Sequence, residues 1–564
     1  MSTQSVPDVL KAIGFGIELS GGNPMRARAY TGAARTLKKI PDLRAARESG
    51  ELASLKGIGK GILAIVDQVH AGEPVPKLEE LKETVPEGLF AARHLSGLGA
   101  KRLRKLWQGL DITSIGELEY ACNENRLIEL DGFGKGTQDK VLAAIAALRA
   151  KGSTLRLDHA DALAARWVAE LTERPEIERV EVTGALRRRT ETVSRVELLV
   201  LQEGLNAHIL GGAARFEGGI AWADIATDDG AVSVALCPDA DLWGVWQVLC
   251  TGSAEHVALL DQRAAKDSDD DGLGADGLIV RGAPVPCWEE EEVYRELGLL
   301  PTTPELREAG VPLTQVGTAL PTLLRREDIA GMLHNHTTSS DGVHGLAAMR
   351  AAATAMGLQY LGISEHSESA MYAGGLTADR LLAQVEEIAA LVPEGGCAVL
   401  SGIETDILRD GDLDYDDDVL GALDVVVASV HMRHRQDFDT ATARMVRAAS
   451  DPRVHIIGHP TGRLLSGRPA SDFDVLAMLD AAAESGCAME LNANPQRLDL
   501  SVRYLQECKA RGIPVSIAAD AHSTHALSHL DYGVDQARRA GLRPDHVLNC
   551  RPLPALRTWL QQRI

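Results

Sequence analysis

Apolar residues change their spacing along the chain, and each change predicts a different kind of element. From residue 1 to 150 they recur at helical intervals in short amphipathic stretches joined by Gly-containing turns. Between residues 178 and 203 the runs Val180–Val182 and Val196–Leu201 read as β-strands. From about residue 330 onward, short apolar runs alternate with helix-length stretches. The runs are Tyr360–Ile363, Val425–Val430, Val454–Ile457, Ala488–Asn492 and Val515–Ala519. That alternation predicts a βα architecture, a barrel, whose strand ends would carry the chemistry.

Composition refines this picture in one respect. The chain has 564 residues, 45% hydrophobic and 24% charged, enough for several folded domains. It lacks an 18-residue apolar run and a basic-then-apolar leader at its start, so neither a membrane span nor a secretory signal is expected. Eight cysteines without a CxxC fit reduced thiols, hence a cytoplasmic protein. The net charge of −22 argues against a nucleic-acid partner, but it is uneven. Residues 1–150 carry +3, residues 151–320 carry −15 and residues 321–564 carry −10. Histidine is skewed as well: 12 of 17 lie after residue 320, which points to metal chemistry there. The acidic run Asp267–Asp271 reads as a solvated loop.

One motif occurs three times in the basic third. It reads Leu55-Lys-Gly57-Ile-Gly59-Lys60-Gly61, Leu95-Ser-Gly97-Leu-Gly99-Ala-Lys101 and Leu130-Asp-Gly132-Phe-Gly134-Lys135-Gly136. Two glycines permit a sharp turn and a close approach to a ligand, and the following helix start offers free amides to an anion. This is the helix-hairpin-helix pattern of sequence-independent DNA backbone binding; the bland reading is a set of helix-ending turns. Arg26, Arg28, Arg35, Lys38 and Lys39 around Tyr30, and Lys101, Arg102, Arg104 and Lys105, either extend the DNA surface or form solvated helix faces.

These residues carry a resemblance. Asn23-Pro-Met-Arg26-Ala-Arg28-Ala-Tyr30, the glycine turns, Gly184-Ala-Leu-Arg187-Arg188, Thr251-Gly252-Ser253 with His256, and Glu292-Val-Tyr294-Arg-Glu-Leu-Gly298 resemble the bacterial family X DNA polymerases, which are similar to DNA polymerase beta. The resemblance implies a polymerase-like α+β palm and thumb of nucleotidyltransferase type, with three carboxylates holding two Mg²⁺ or Mn²⁺ ions for nucleotide transfer from a dNTP. Here Arg195 stands at the first carboxylate position, Glu197 at the second and Ser233 at the third, and the family's Gly-Ser is Gly184-Ala185. A guanidinium cannot ligate a cation, so the polymerase centre is expected to be weak or lost unless Asp224, Asp228 or Asp229 substitutes. The lysine some members use for 5′-deoxyribose phosphate removal falls at Ile65, which makes that activity doubtful.

Beyond residue 320, potential ligands end or follow successive apolar runs: His334-Asn-His336, Asp341, Ser364-Glu365-His366, Glu404-Thr-Asp406, His431, His459 and Asp520-Ala-His522. The pattern resembles the polymerase and histidinol phosphatase (PHP) domain, a distorted βα barrel. The resemblance implies His334, His336, Asp341, His366, Glu404, His431, His459, Asp520 and His522 as ligands of a multinuclear site of up to three zinc or manganese ions. Arg463 and Arg497 could hold a phosphate by bidentate contacts, or serve as ion-pair partners, such as Arg497 with Asp499. The six aspartates of Asp410–Asp418 read as an exposed loop or a further metal site.

The expected organisation is multidomain: helix-hairpin-helix regions at 1–80 and 81–150, a degenerate palm at 151–240, a thumb at 241–320 and a PHP domain at 321–564. The expected function is a DNA-repair protein on gapped or nicked DNA whose barrel is a metal-dependent 3′-to-5′ exonuclease. The alternatives are a working gap-filling polymerase, a small-molecule phosphatase and a non-catalytic DNA-binding scaffold. The sequence does not indicate an oligomeric state.

Overall fold

The computed structural model describes residues 5–95, 97–130, 132–149, 154–202, 212–266, 268, 270–318, 322–391, 396–432 and 436–563. The chain divides into two compact units, Met1–Leu148 and Arg149–Ile564.

The first unit is helical. Helix α1 (Val6–Leu19) packs on α2 (Pro24–Leu37), and α3 (Lys60–Ala71), α4 (Ala100–Leu110) and α5 (Lys135–Arg149) follow the three glycine turns. Local chemistry sets the starts. Pro24 opens α2, and the Asn23 side chain accepts from the Met25 amide at 2.8 Å, the usual cap for an unpaired first-turn donor. In α4, Ala100, Leu103 and Leu106 are buried while Lys101, Arg102 and Lys105 face water, so one helix serves both core and surface. A single apolar cluster runs from Val6 to Ile145. The boundary read at 80/81 falls inside the helix Pro76–Thr84, and the residues on both sides of it share that cluster. The glycine turns punctuate helices, not cores.

The second unit holds a sheet and a barrel. Strands β1 (Arg179–Thr183), β2 (Val196–Leu201), β3 (Ala213–Glu217), β4 (Ile220–Thr227) and β5 (Gly230–Cys237) form one sheet in the order β1-β2-β5-β4-β3. Only β2 and β5 pair in parallel. Helix α6 (Leu157–Thr172) covers one face through Leu157, Ala160, Leu163 and Leu171. A separate apolar cluster, Val245–Leu299, follows the sheet. The boundary at 240/241 falls within the short helical turn Ala240–Leu242, and the one at 320/321 lies outside the described residues.

The barrel strands are β6 (Gly331–Met332), β7 (Tyr360–His366), β8 (Ala398–Asp406), β9 (Val425–Ser429), β10 (Ile456–Ile457), β11 (Ala488–Asn492) and β12 (Val515–Ala518). They pair in sequence order, all parallel. A parallel bridge between Asn335 and Ala521 joins the first strand's extension to the last and nearly closes the ring. Parallel strands bury both faces, which explains their near-continuous apolar runs. Strand β8 escaped the apolar pattern because Ser401, Gly402, Glu404 and Thr405 interrupt it. Among the described residues no helix is long and apolar enough to cross a membrane. All eight cysteines are free, and seven are buried.

Candidate metal centre and glycine turns

The carboxyl ends of the barrel strands deliver the nine sequence-predicted ligands to one place. No side chain among them is more than 6% exposed. Glu404 lies at the middle. Its Oε1 is 3.3 Å from His334 Nε2, 3.1 Å from His431 Nε2 and 2.9 Å from His459 Nε2. Its Oε2 is 2.9 Å from His366 Nδ1 and 3.7 Å from His336 Nε2. Asp341 lies between His366 (3.3 Å) and His522 (3.2 Å), and Asp520 is 3.1 Å from His336 Nε2.

Three donor sets emerge: His336, Asp341, His366 and His522; His334, His336 and Asp520; and His366, Glu404 and His431. Within each set the ligand atoms lie within 4.8 Å of one another. Among the described residues His336 Nδ1, Asp341 Oδ2, both His366 nitrogens, Glu404 Oε2 and His431 Nε2 are buried and make no hydrogen bond. Such atoms are costly to bury unless something binds them, and cations fit. An all-nitrogen-and-oxygen donor set suits zinc or manganese.

Electrostatics agrees. Burial opposes charge on Glu404, but His431, His334 and His366 hold its carboxyl well below the ordinary range. Burial keeps His336 and His459 neutral, down to about 3, as imidazole ligands must be. Burial also disfavours charge on His334 and His366, yet the carboxylates around them raise both, so the pocket favours positive charge. His459 (φ 25°) and Asp520 (φ 50°) adopt left-handed backbone, a strained conformation of the kind found at functional sites.

Partners behind the candidate ligands fix their orientation. Glu490 lies 3.1 Å from His334 Nδ1 and accepts the His459 amide at 2.7 Å. Asp406 lies 3.2 Å from His431 Nδ1, leaving Nε2 toward Glu404. Glu365 accepts from Thr337 and Ser340 and so ties down the segment between His336 and Asp341. Glu490 is the residue that sequence reasoning missed. Its signal was a lone carboxylate within the apolar strand β11. Of the aspartate-rich run, Asp416 caps the helix Asp417–Leu420 and Asp414 accepts the Ser369 amide.

The two arginines differ. Arg463 pairs with Glu191 of the middle region and donates to the Arg497 and Leu498 carbonyls. Arg497 is 3% exposed, with its Nε 3.9 Å from Asp520 Oδ2. The Asp499 carboxylate instead accepts from the Thr461 amide and hydroxyl.

In the first unit, Gly57, Gly97 and Gly132 have φ of 86–89°, which glycine alone adopts freely. Between the glycines, Ile58, Leu98 and Phe133 are buried. Gly57, Gly59, Gly61, Gly97, Gly99, Gly132, Gly134 and Gly136 have open space beside them, and Lys60, Lys101, Lys135, Arg26 and Arg28 are exposed. Each turn thus anchors one apolar side chain inward and presents bare backbone and a helix start outward. Ile65 is buried in the core.

In the middle sheet, Glu197 on β2 faces Ser233 on β5 in register, and Ser233 faces Asp224 on β4. Arg195 Nη1 lies 3.3 Å from Ser233 Oγ and 3.5 Å from Asp224. Arg215 holds the other Asp224 oxygen at 2.8 Å. Asp228 and Asp229 lie at the β4–β5 turn, where Asp229 pairs with Arg166. A Cβ at Gly184, whose φ is 65°, would collide with the Glu197 carboxylate, and Ala185 follows it.

A helix-hairpin-helix domain model matches residues 1–73. Over 577 aligned residues the chain is 31% identical to the DNA polymerase/3′-5′ exonuclease PolX of Bacillus subtilis, and the match covers all of both proteins. The chain belongs to the PolX family. Its last third is also similar to probable phosphatases. That of Syntrophotalea carbinolica is 29% identical over 28% of this chain and 68% of its own length. That of Shewanella sp. strain ANA-3 is 31% identical over 30% of this chain and 68% of its own length. As a PolX member, the chain combines a helix-hairpin-helix DNA-binding domain, a polymerase-like body and a PHP barrel suited to metal binding.

Proposed function

We propose that this protein is a metal-dependent 3′-to-5′ DNA exonuclease, acting on gapped or nicked DNA, whose polymerase centre is weak or inactive. The observation that carries the proposal is the convergence of three nitrogen-and-oxygen donor sets around Glu404. Ions bound there, up to three and zinc or manganese by donor type, would supply an activated water and neutralise charge developing on the scissile phosphate. His334, His336, Asp341, His366, Glu404, His431, His459, Asp520 and His522 would hold them. Glu490 and Asp406 keep the imidazoles in the required orientation. Arg497, beside Asp520, is the cation best placed to meet a phosphate; Arg463 braces the Arg497–Leu498 backbone.

The glycine turns would grip the DNA backbone, with Lys60, Lys101, Lys135, Arg26 and Arg28 supplying salt-sensitive attraction. In the sheet, Arg195 and Arg215 occupy Asp224, and Glu197 remains the only acid at the three carboxylate positions. Burial raises the Glu197 carboxyl despite the nearby Arg195 and Arg188 guanidinium groups.

Nuclease assays on His366→Ala and Asp520→Asn test the barrel, and undiminished digestion by both would sink the assignment. Primer extension from dNTPs on a gapped duplex tests the sheet; robust incorporation that Glu197→Ala abolishes would reverse that part. The likeness to phosphatases keeps a second reading open. Rapid turnover of a small phosphomonoester without action on DNA would favour it.

A further inference from the structure

A cleft of about 710 Å³ lies where residues 301–314 and 322–325 meet α7 (Leu530–Arg539) of the barrel. Its volume suits a small organic ligand. Four cations line it, Arg325, Lys509, Arg538 and Arg539, and among the described residues no aspartate or glutamate does. This is unexpected in the two acidic parts of the chain, −15 over residues 151–320 and −10 beyond.

The cations are unequally compensated. Arg538 is committed, with Nε on Glu305 at 2.7 Å and Nη1 on the Leu324 carbonyl. Arg539 donates Nη1 to the Gln536 side chain, while its nearest carboxylate, Glu308, is 3.7 Å away. The Arg539 Nε is buried and makes no hydrogen bond. Burial pulls the Arg539 guanidinium below its ordinary pKa, as expected of a cation short of counter-charge. Lys509 donates only to the Gly541 carbonyl, and neither it nor Arg325 has an ion-pair partner among the described residues. Leu306, Val311 and Pro312 give the same cleft an apolar wall.

We infer that this cleft binds a nucleoside monophosphate group, with the phosphate among Arg325, Lys509 and Arg539 and the base against the Leu306–Val311–Pro312 wall. A guanidinium matches phosphate oxygens geometrically, and the lysine ammonium adds a compact point charge. The group could be a free deoxynucleotide or the terminal nucleotide of a DNA strand; both present the same chemistry. The site is separate from the metal centre and does not depend on the exonuclease reading.

Equilibrium dialysis of the full-length, metal-loaded protein against dAMP tests this. Arg325→Glu and Lys509→Glu are exposed changes outside the hydrolytic machinery. Each should weaken one class of dAMP sites at least tenfold and leave the DNA hydrolysis rate at saturation unchanged. Displacement of dAMP from that class by a 5′-phosphorylated phosphorothioate hexanucleotide would identify a strand end as the source. Failure to displace would identify the free nucleotide. Isotherms identical in wild type and both variants, with circular dichroism showing intact folds, would overturn the inference.

Discussion

Arg463 in the barrel and Glu191 beside the middle sheet form a two-pronged ion pair, Nη2 to Oε1 at 2.7 Å and Nη1 to Oε2 at 3.2 Å. The same guanidinium holds the Arg497 carbonyl through Nε at 3.0 Å. A residue of the polymerase-like body therefore braces the loop that carries Arg497 past Asp520. Glu191→Ala should cost about 2 kcal/mol of stability, the usual value of charged hydrogen bonds in a partly buried setting. It should also lower the hydrolytic kcat more than it raises KM. Thermal unfolding and steady-state kinetics check both.

Glu490 makes a sharper test of the metal centre than a ligand does, because it orients His334 and His459 from behind. Glu490→Gln should weaken metal binding by about 10–100-fold, the range for outer-shell partners. Chelator competition followed by metal analysis measures it. Unchanged affinity would remove Glu490 from the site.

The hairpin lysines lend themselves to a salt titration. Every lysine–phosphate pair that is removed lowers the slope of log K against log salt by about 0.9 on duplex DNA. If all three lysines touch phosphates, changing Lys60, Lys101 and Lys135 to Gln together should flatten the slope by about 2.7. Metal content should not change. An unaltered slope would reduce the turns to helix connectors.

Acid should loosen the middle region through Glu290. Burial opposes its charge, but Arg307 and Arg187, each bonding both oxygens, bring its pKa down to about 2 from 4.5. The lowered value means that its stabilisation is fully present above pH 4.5 and is lost as pH falls toward 2. The amount is about 3 kcal/mol at one unit per 1.36 kcal/mol. Acid unfolding of wild type and Glu290→Gln should show the variant less stable at neutral pH and flatter across that window.

Much of this protein was legible in its residues. Helical spacing, the repeated glycine turns and strand-length apolar runs are local signals, and local backbone preference writes them directly into the chain. The convergence of the nine candidate ligands was legible too, because each ends or follows an apolar run and strand ends of a barrel converge. The chain alone could not show that residues on both sides of Pro76–Thr84 share one apolar cluster, since a shared core is a property of packed helices. Nor could it show that Glu404 rather than another acid lies at the middle, or that Glu490 backs two histidines. Those facts depend on register between strands far apart in sequence. The partners of Arg463 and Asp224 were likewise decided only by folding. An ion pair is chosen by which opposite charge lies within a few ångströms, and for Arg463 that charge is 272 residues away.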